Sequence, residues 1–546
     1  MVTPIAASRA DIRWGTVPKL FADAAERFGD AEALVDGDVR LGWNEVYRRA
    51  RRAAKAFIAH GVEPGDRVAI WAPNCHEWVA ALVGLQAVGA VLVPLNTRYK
   101  GAEAAWILAR SRAVALVTVD GFLGNGYVEM LDGAREAAGG LPELRNIVVL
   151  RDDAPEGTIG WDAFVDSGDA VDDATLDACI AAVTPGDLSD MLFTSGTTGR
   201  PKGVLTAHGQ MLRCVQGWVD AVGLDHDDRY LIVNPFFHSF GYKAGIIACA
   251  VAGATMAPLA TFDVPAMMRL IEAERLTALP GAPTIYQTML NRPDRAEFDL
   301  SSLRLAVTGA AVIPVSLVEQ MKDVLGFDTV VTAYGLTEAC GFATICQHDD
   351  PAEIIATTSG RAMDGMEVLI FDDDNTELPR GEPGEVVVRG YNVMQGYFED
   401  PAQTAKAIDP DGWLHTGDIG VMDEAGNLKI TDRVKDMFIS GGFNAYPAEI
   451  ESLMLAHPDL AQVAVVGVPD ERMGEVSAAF VVPVAGRTVD PSAIVDWAKQ
   501  EMANYKAPRT VHVVDALPTN ASGKVLKFEL RDRLAATAAP ADESRS

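Results

Sequence analysis

Thr194-Ser195-Gly196-Thr197-Thr198-Gly199-Arg200-Pro201-Lys202-Gly203 follows the short apolar run Met191-Leu192-Phe193. The run reads as the end of a strand, and the polar stretch as the loop into which it opens. Its three glycines permit positive φ and let a ligand come close to the main chain. Four hydroxyl side chains, successive amides and the mobile charge of Lys202 suit a polyphosphate, because consecutive amides can form an anion-binding nest. The Walker A pattern does not fit: Pro201 precedes the lysine and Gly203 follows it. Taken alone, the loop is equally consistent with a Gly/Ser/Thr surface linker.

Five further stretches follow in order. They are Thr308-Gly309-Ala310-Ala311, Tyr334-Gly335-Leu336-Thr337-Glu338, Trp413-Leu414-His415-Thr416-Gly417-Asp418, Asp432-Arg433-Val434-Lys435-Asp436 with Ser440-Gly441-Gly442-Phe443-Asn444, and Ala521-Ser522-Gly523-Lys524. With the first loop they resemble the signature set of the acyl-adenylate-forming superfamily: acyl-CoA synthetases, peptide-synthetase adenylation domains and beetle luciferases. The resemblance covers nearly the whole chain.

The resemblance implies a two-step ligation with ATP, Mg²⁺ and CoA. It assigns the β,γ-phosphates to Thr194, Ser195, Gly196, Thr197, Thr198, Gly199 and Lys202. Adenine falls beside Gly309, Ala310 and Ala311, with Tyr334 stacked on its other face and Gly335 and Thr337 adjoining. Asp418 and Arg433 fall on the ribose, a carboxylate being able to accept from two vicinal hydroxyls. Glu338 becomes the Mg²⁺ ligand, since a hard ion takes one carboxylate with phosphate oxygens and water. Read alone, that acid is equally a helix N-terminal carboxylate. Lys524 would bridge the substrate carboxylate and the α-phosphate, although in isolation it reads as a solvated surface lysine. Thr194, Glu338 and Lys524 are the expected catalytic groups. His238 lies among aromatics in Asn234-Pro235-Phe236-Phe237-His238-Ser239-Phe240-Gly241-Tyr242; alone it reads as a core histidine. The family match puts it in the wall of an acyl pocket with Thr308, Gly309, Cys340 and Gly341. Gly441 and Gly442 are expected to pass the pantetheine arm of CoA, and Lys435 to be the hinge.

Phe236 to Tyr242 with Lys243-Ala244-Gly245, Pro280 to Tyr286, and Thr332 to Ala339 resemble most a subgroup of ligases acting on the propanoate side chain of a two-ring steroid remnant. Medium-chain fatty and aryl acyl-CoA synthetases share much of the pattern. A nucleotide-binding sensor without catalysis would be expected to lack Lys524, Glu338 or Asp418, and all three are present. The approach to Lys524 also resembles the site at which a lysine acetyltransferase switches relatives off, by removing the charge.

The net charge of −30 over 546 residues argues against a general nucleic-acid or anionic-membrane surface. The six cysteines form no Cys-x-x-Cys pair, so free thiols in a reducing compartment are expected. Met1 to Trp14 lacks the apolar core of a signal peptide, no uncharged run reads as a membrane span, and the polar C-terminus does not match a Ser-Lys-Leu address. A cytoplasmic enzyme without integral membrane association is expected, and a homodimer is admitted as its assembly.

Strands and helices alternate. Thr16 is expected to cap a helix to Phe28, and a second helix runs from Asn44 to His60 with Val46, Ala50, Ala53, Ala54 and Phe57 on one face. Arg67 to Trp71, Val91 to Leu95, Val114 to Val119 and Ile147 to Leu150 read as strands, with a helix over His76 to Val88. Leu279 is expected to end a strand in a rigid turn. The expectation is an α/β chain: a large domain of parallel-rich sheets covered by helices over 1–432, then a small mobile α+β domain over 433–546.

Overall fold

The computed structural model describes residues 9–151, 153–194, 201–309, 315–372, 374–433, 438–445, 447–484, 486–518, 525 and 527–538. The chain forms two compact units. One comprises Met1–Thr97, Ala105–Phe193 and Gly203–Asp432; the other comprises Arg98–Ala104, Thr194–Lys202 and Arg433–Ser546.

The first unit is built on an eight-stranded sheet. Its order is Gly396–Tyr397, Lys202–Ala207, Leu188–Thr194, Val91–Pro94, Arg67–Trp71, Ala113–Val119, Asn146–Leu150 and Ile159–Gly160. From Leu188–Thr194 to Ile159–Gly160 every pairing is parallel. Parallel strands buried on both faces need continuous apolar sequence, and all seven residues of Ala113–Val119 are buried. The helix His76–Ala87 is apolar almost all round and is buried from Glu77 to Ala87. Its neighbour Trp43–Ala59 is amphipathic: Val46, Ala50, Ala53, Ala54 and Phe57 are buried, as the spacing predicts. On the opposite side, Glu45 pairs with Arg48 and Arg49 one turn on.

Two four-stranded sheets complete the helix-covered part. One runs Arg229–Ile232, Thr255–Pro258, Glu32–Asp36, Val39–Gly42; the other runs Leu305–Gly309, Thr329–Tyr334, Thr344–Ile345, Arg361–Ala362. The strand expected to end at Leu279 is a single bridging residue. Ala278 pairs in parallel with both Tyr230 and Leu305, so it joins these two sheets. Pro283 then opens the helix Pro283–Asn291, which suits its fixed φ and missing N–H. A last sheet of this unit, Met366–Phe371, Gly384–Gly390, Leu414–Met422, Leu428–Arg433, has antiparallel pairings along its first three strands.

Thr16 departs from expectation. It has the extended conformation of a helix cap, but its hydroxyl makes no capping bond to Val17–Phe28. The Val17 N–H donates instead to His208 Nδ1 at 3.4 Å, a partner 191 residues away.

The smaller unit has the sheet order Phe443–Ala445, Phe438–Ser440, Gly474–Pro483, Leu460–Asp470, with Thr510–Val513 parallel to Gly474–Pro483. Its core packs Ile450, Met454, Val465, Val481 and Ile494. Within it, buried Lys506 lies 2.7 Å from both Glu103 and Glu449 and 4.5 Å from the ring centroid of Tyr99. A lysine so desolvated needs this paired charge to stay ionised. Among the described residues no helix is long and apolar enough to cross a membrane. The six cysteines are free, and all but Cys179 are buried.

Candidate functional site

Asp418 owes its position to a break in a ladder. Glu385 pairs with Ile419 and Val387 with His415, so residues 416–418 stand opposite Val386 alone. Such a bulge re-aims side chains. Thr416 Oγ1 secures it by donating to Val386 O at 2.7 Å and accepting from the Asp418 N–H at 3.1 Å. Glu385 braces the same turn, accepting the Gly417 N–H at 2.9 Å and lying 2.8 Å from His415 Nδ1. The Asp418 carboxylate is almost wholly buried, and its Oδ2 accepts from Tyr334 Oη at 2.6 Å. A buried carboxylate needs such donors.

Tyr334 ends the strand Thr329–Tyr334, and the chain turns tightly after it. Gly335 faces Gly341 so closely that a Cβ would meet the Gly341 carbonyl oxygen at 2.1 Å. Cys340 and Gly341 both have positive φ, 59° and 94°, and the Gly341 N–H returns to Leu336 O at 2.8 Å. This fold-back presents the short helix Thr337–Ala339 and with it Glu338. Tyr397 Oη donates to Glu338 Oε1 at 3.0 Å, and the Met394 N–H donates to the Glu338 carbonyl at 2.8 Å.

A second group of loops adjoins this turn. A Cβ on Gly341 would touch Ser239 Oγ at 3.2 Å, so the His238–Ser239 segment lies against Gly341. His238 caps the short helix Ser239–Gly241, its Nδ1 accepting the Phe240 N–H at 3.2 Å. Its ring reaches solvent, yet surrounding protein desolvates it and pushes its pKa down. Asn234 Nδ2 donates to Pro280 O at 3.0 Å, and the Gly281 N–H donates to Val307 O at 2.9 Å. The aromatic stretch, the Pro280 turn and the strand Leu305–Gly309, which carries Thr308 and Gly309, are therefore linked. Among the described residues, Thr308 Oγ1 is buried with no hydrogen-bond partner.

The expected residues divide as follows. Tyr334 and Asp418 are in contact; Thr308, Gly309, Gly335, Thr337, Glu338, Cys340, Gly341 and His238 lie on the connected loops just described. Cys340 is fully buried, and its thiol faces Lys243 rather than an open surface. Thr194 ends the strand Leu188–Thr194, Lys202 begins Lys202–Ala207, and Arg433 closes Leu428–Arg433. In the smaller unit, Gly441 and Gly442 have φ of 58° and 83°. A Cβ on Gly441 would strike Met473, whereas nothing lies within 4 Å of one on Gly442. Ser195, Gly196, Thr197, Thr198, Gly199, Ala310, Ala311, Lys435 and Lys524 lie outside the described residues. Tyr397 and Glu385 were missed, because neither a lone tyrosine in a two-residue strand nor a glutamate in a sheet carries a periodic signal.

The donors suit the expected ligands. Among the described residues, groups of three or more ligand side chains occur elsewhere: Asp36, His76 and Glu77, where Arg151 already binds, and Asp225, His226 and Asp227. Glu338 offers a single carboxylate, the donor set of an ion that takes its other ligands from phosphate and water.

Residues 21–398 match the family described as AMP-binding enzyme, and residues 449–524 the AMP-binding enzyme C-terminal domain. The chain is 49% identical over 519 residues to the 3-[(3aS,4S,7aS)-7a-methyl-1,5-dioxo-octahydro-1H-inden-4-yl]propanoyl:CoA ligase of Rhodococcus jostii (strain RHA1), covering 95% of this chain and 98% of that one. It is 50% identical over 517 residues to the ligase of the same name from Mycobacterium tuberculosis (strain ATCC 25618 / H37Rv), with the same coverage. Among solved structures, a double mutant of o-succinylbenzoate CoA synthetase from Bacillus subtilis, bound with a product analogue, aligns with a TM-score of 0.77 at 27% identity. That alignment covers 94% of this chain and 98% of that one.

Proposed function

The chain belongs to the AMP-binding enzyme family, and from that premise we propose that it is an AMP-forming acid–CoA ligase acting on a bicyclic, steroid-derived propanoate. The substrate carboxylate attacks the α-phosphorus of ATP and pyrophosphate leaves; the CoA thiol then attacks the acyl carbon and AMP leaves. The observation that carries the reaction class is the pair of anchored carboxylates, Asp418 held by Tyr334 and Glu338 held by Tyr397. They supply a ribose acceptor and a metal ligand from adjacent segments. Near-50% identity across almost the full length to two ligases of an indenyl propanoate supports the acid.

In this reading, the Thr194–Lys202 loop holds the β- and γ-phosphates. Gly309, Ala310 and Ala311 border the adenine on which Tyr334 stacks, and Arg433 joins Asp418 at the ribose. Mg²⁺ neutralises phosphate charge when bound at Glu338. Lys524 offsets the repulsion between the carboxylate and the α-phosphate. Rate acceleration then comes from alignment and fixed charge more than from covalent participation of the protein. His238, Thr308 and Gly341 flank the acid. A boundary near Asp432 with a pivot at Lys435 lets the smaller domain exchange Lys524 for Gly441 and Gly442 between half-reactions. The enzyme works in the cytoplasm, as a homodimer, and acetylation of Lys524 silences it.

The test is a mass-resolved assay for AMP and acyl-CoA with MgATP, CoA and a panel of acids. Strong preference for methyl-dioxo-octahydroindenyl propanoate is expected. Preference for alkyl or aryl acids would overturn the substrate, and no AMP with any acid would overturn the reaction.

A further inference from the structure

Lys243 is fully buried, as is Asp190. Its Nζ lies 3.2 Å from Asp190 Oδ1, donates to Thr206 Oγ1 at 3.2 Å and reaches Cys340 Sγ at 3.5 Å. The ammonium thus has two hydrogen-bond acceptors, Thr206 and Cys340, and one ion-pair partner, Asp190. The second Asp190 oxygen accepts from Ser189 Oγ at 2.7 Å. Burial opposes the ammonium charge, but Asp190 outweighs it and raises the Lys243 pKa.

The partners stand at telling places. Asp190 is on Leu188–Thr194, the strand that enters the phosphate-loop sequence, and Thr206 is on Lys202–Ala207, the strand that leaves it. Cys340 is two residues beyond Glu338, at a non-glycine position of φ 59°. Lys243 itself lies in the π-helical turn Tyr242–Ile247, a rare geometry that is frequent at functional sites. A buried ion pair is poor value for stability, because desolvating both charges consumes most of the Coulombic gain. An apolar side chain would fill the space at lower cost. What the ammonium supplies is direction: one point that fixes three segments.

We propose that Lys243 is a positioning residue that locks the two strands flanking the phosphate loop to the Glu338 turn, and so sets the affinity of the protein for a magnesium–nucleotide phosphate. This takes from the ligase reading the identity of the ligand, but it does not depend on which acid is activated. Lys243 touches no substrate in this scheme; it acts through Cys340 and Glu338.

The test uses the full chain with Cys340→Ala, Cys340→Ser, Lys243→Met and the charge-balanced pair Lys243→Met/Asp190→Asn. MgATP binding is measured by calorimetry over a Mg²⁺ titration, melting temperature by thermal unfolding, and KM separately for MgATP and for the acid. Cys340→Ala is expected to weaken MgATP binding about tenfold, and Cys340→Ser, which keeps an acceptor, to recover most of it. The charge-balanced pair controls for misfolding of Lys243→Met and is expected to fold with the same MgATP defect. Wild-type MgATP affinity in the pair would overturn the proposal. So would losses that follow the melting temperature alone, or a defect confined to the acid. If the wild-type protein binds MgATP but activates no acid, the ligase reading fails while this one still stands or falls on the binding data.

Discussion

His208 is fully buried, and its Nδ1 accepts the Val17 N–H, so the ring is neutral with its proton on Nε2. Burial pushes its pKa down to about 4 from an ordinary 6.5. The folded value is below the unfolded one, so the neutral ring contributes stability that is complete above pH 6.5. As pH falls from 6.5 towards 4 the unfolded chain takes up a proton that the native chain refuses, and this stability is lost. The slope should be about 1.4 kcal/mol per pH unit within that window. Urea unfolding at several pH values is expected to show it, and His208→Asn, which retains an acceptor for Val17, to flatten it. Equal slopes in both proteins would mean that His208 titrates alike folded and unfolded. No local pattern marks His208 as the acceptor for the first turn of a helix 191 residues before it.

At the scale of elements, the contact between Trp43–Ala59 and His76–Ala87 depends on Gly84. A Cβ there would meet Ala53 Cβ at 2.9 Å, Ala54 N at 2.9 Å and Ala50 O at 3.0 Å. Two of these atoms are backbone, which cannot rotate away. Alanine is the better helix former by about 1 kcal/mol, yet overpacking costs about 1–3 kcal/mol. Gly84→Ala is therefore expected to lower the melting temperature. A higher one would show that the helices separate freely. Both helices were expected from the sequence, and the periodicity of Trp43–Ala59 marked Ala50, Ala53 and Ala54 as buried positions. The glycine's purpose was not, because a pattern of apolar residues records which face is buried and not how near the neighbour comes.

At the scale of the whole molecule, the proposed alternation makes Lys524 necessary for one half-reaction only. Lys524→Ala should abolish acid-dependent AMP formation by about a hundredfold or more, since a charge aimed at the transition state is lost. The same variant should still transfer a preformed acyl-adenylate to CoA at near the wild-type rate. Stopped-flow or quenched assays of the two halves check this, and equal loss in both would sink the alternation. Protein acetylated at Lys524 should reproduce the variant, because neutralising the ammonium removes the same charge.

The sequence by itself determined the helices and strands, the order of the motifs and the polar loops between them. Each of these follows from backbone preference and side-chain alternation among near neighbours. It could also pair Tyr334 and Asp418 with one nucleotide, by resemblance. Tertiary structure alone decided how the pieces are held. Ala278 joins two sheets as one residue; a bulge over 416–418 aims Asp418; Tyr397 reaches Glu338 from 59 residues away, and Lys243 reaches Cys340 from 97. These contacts arise where distant segments meet and water is excluded. Only there does a lone hydroxyl or ammonium gain a fixed partner, and no local pattern encodes that meeting.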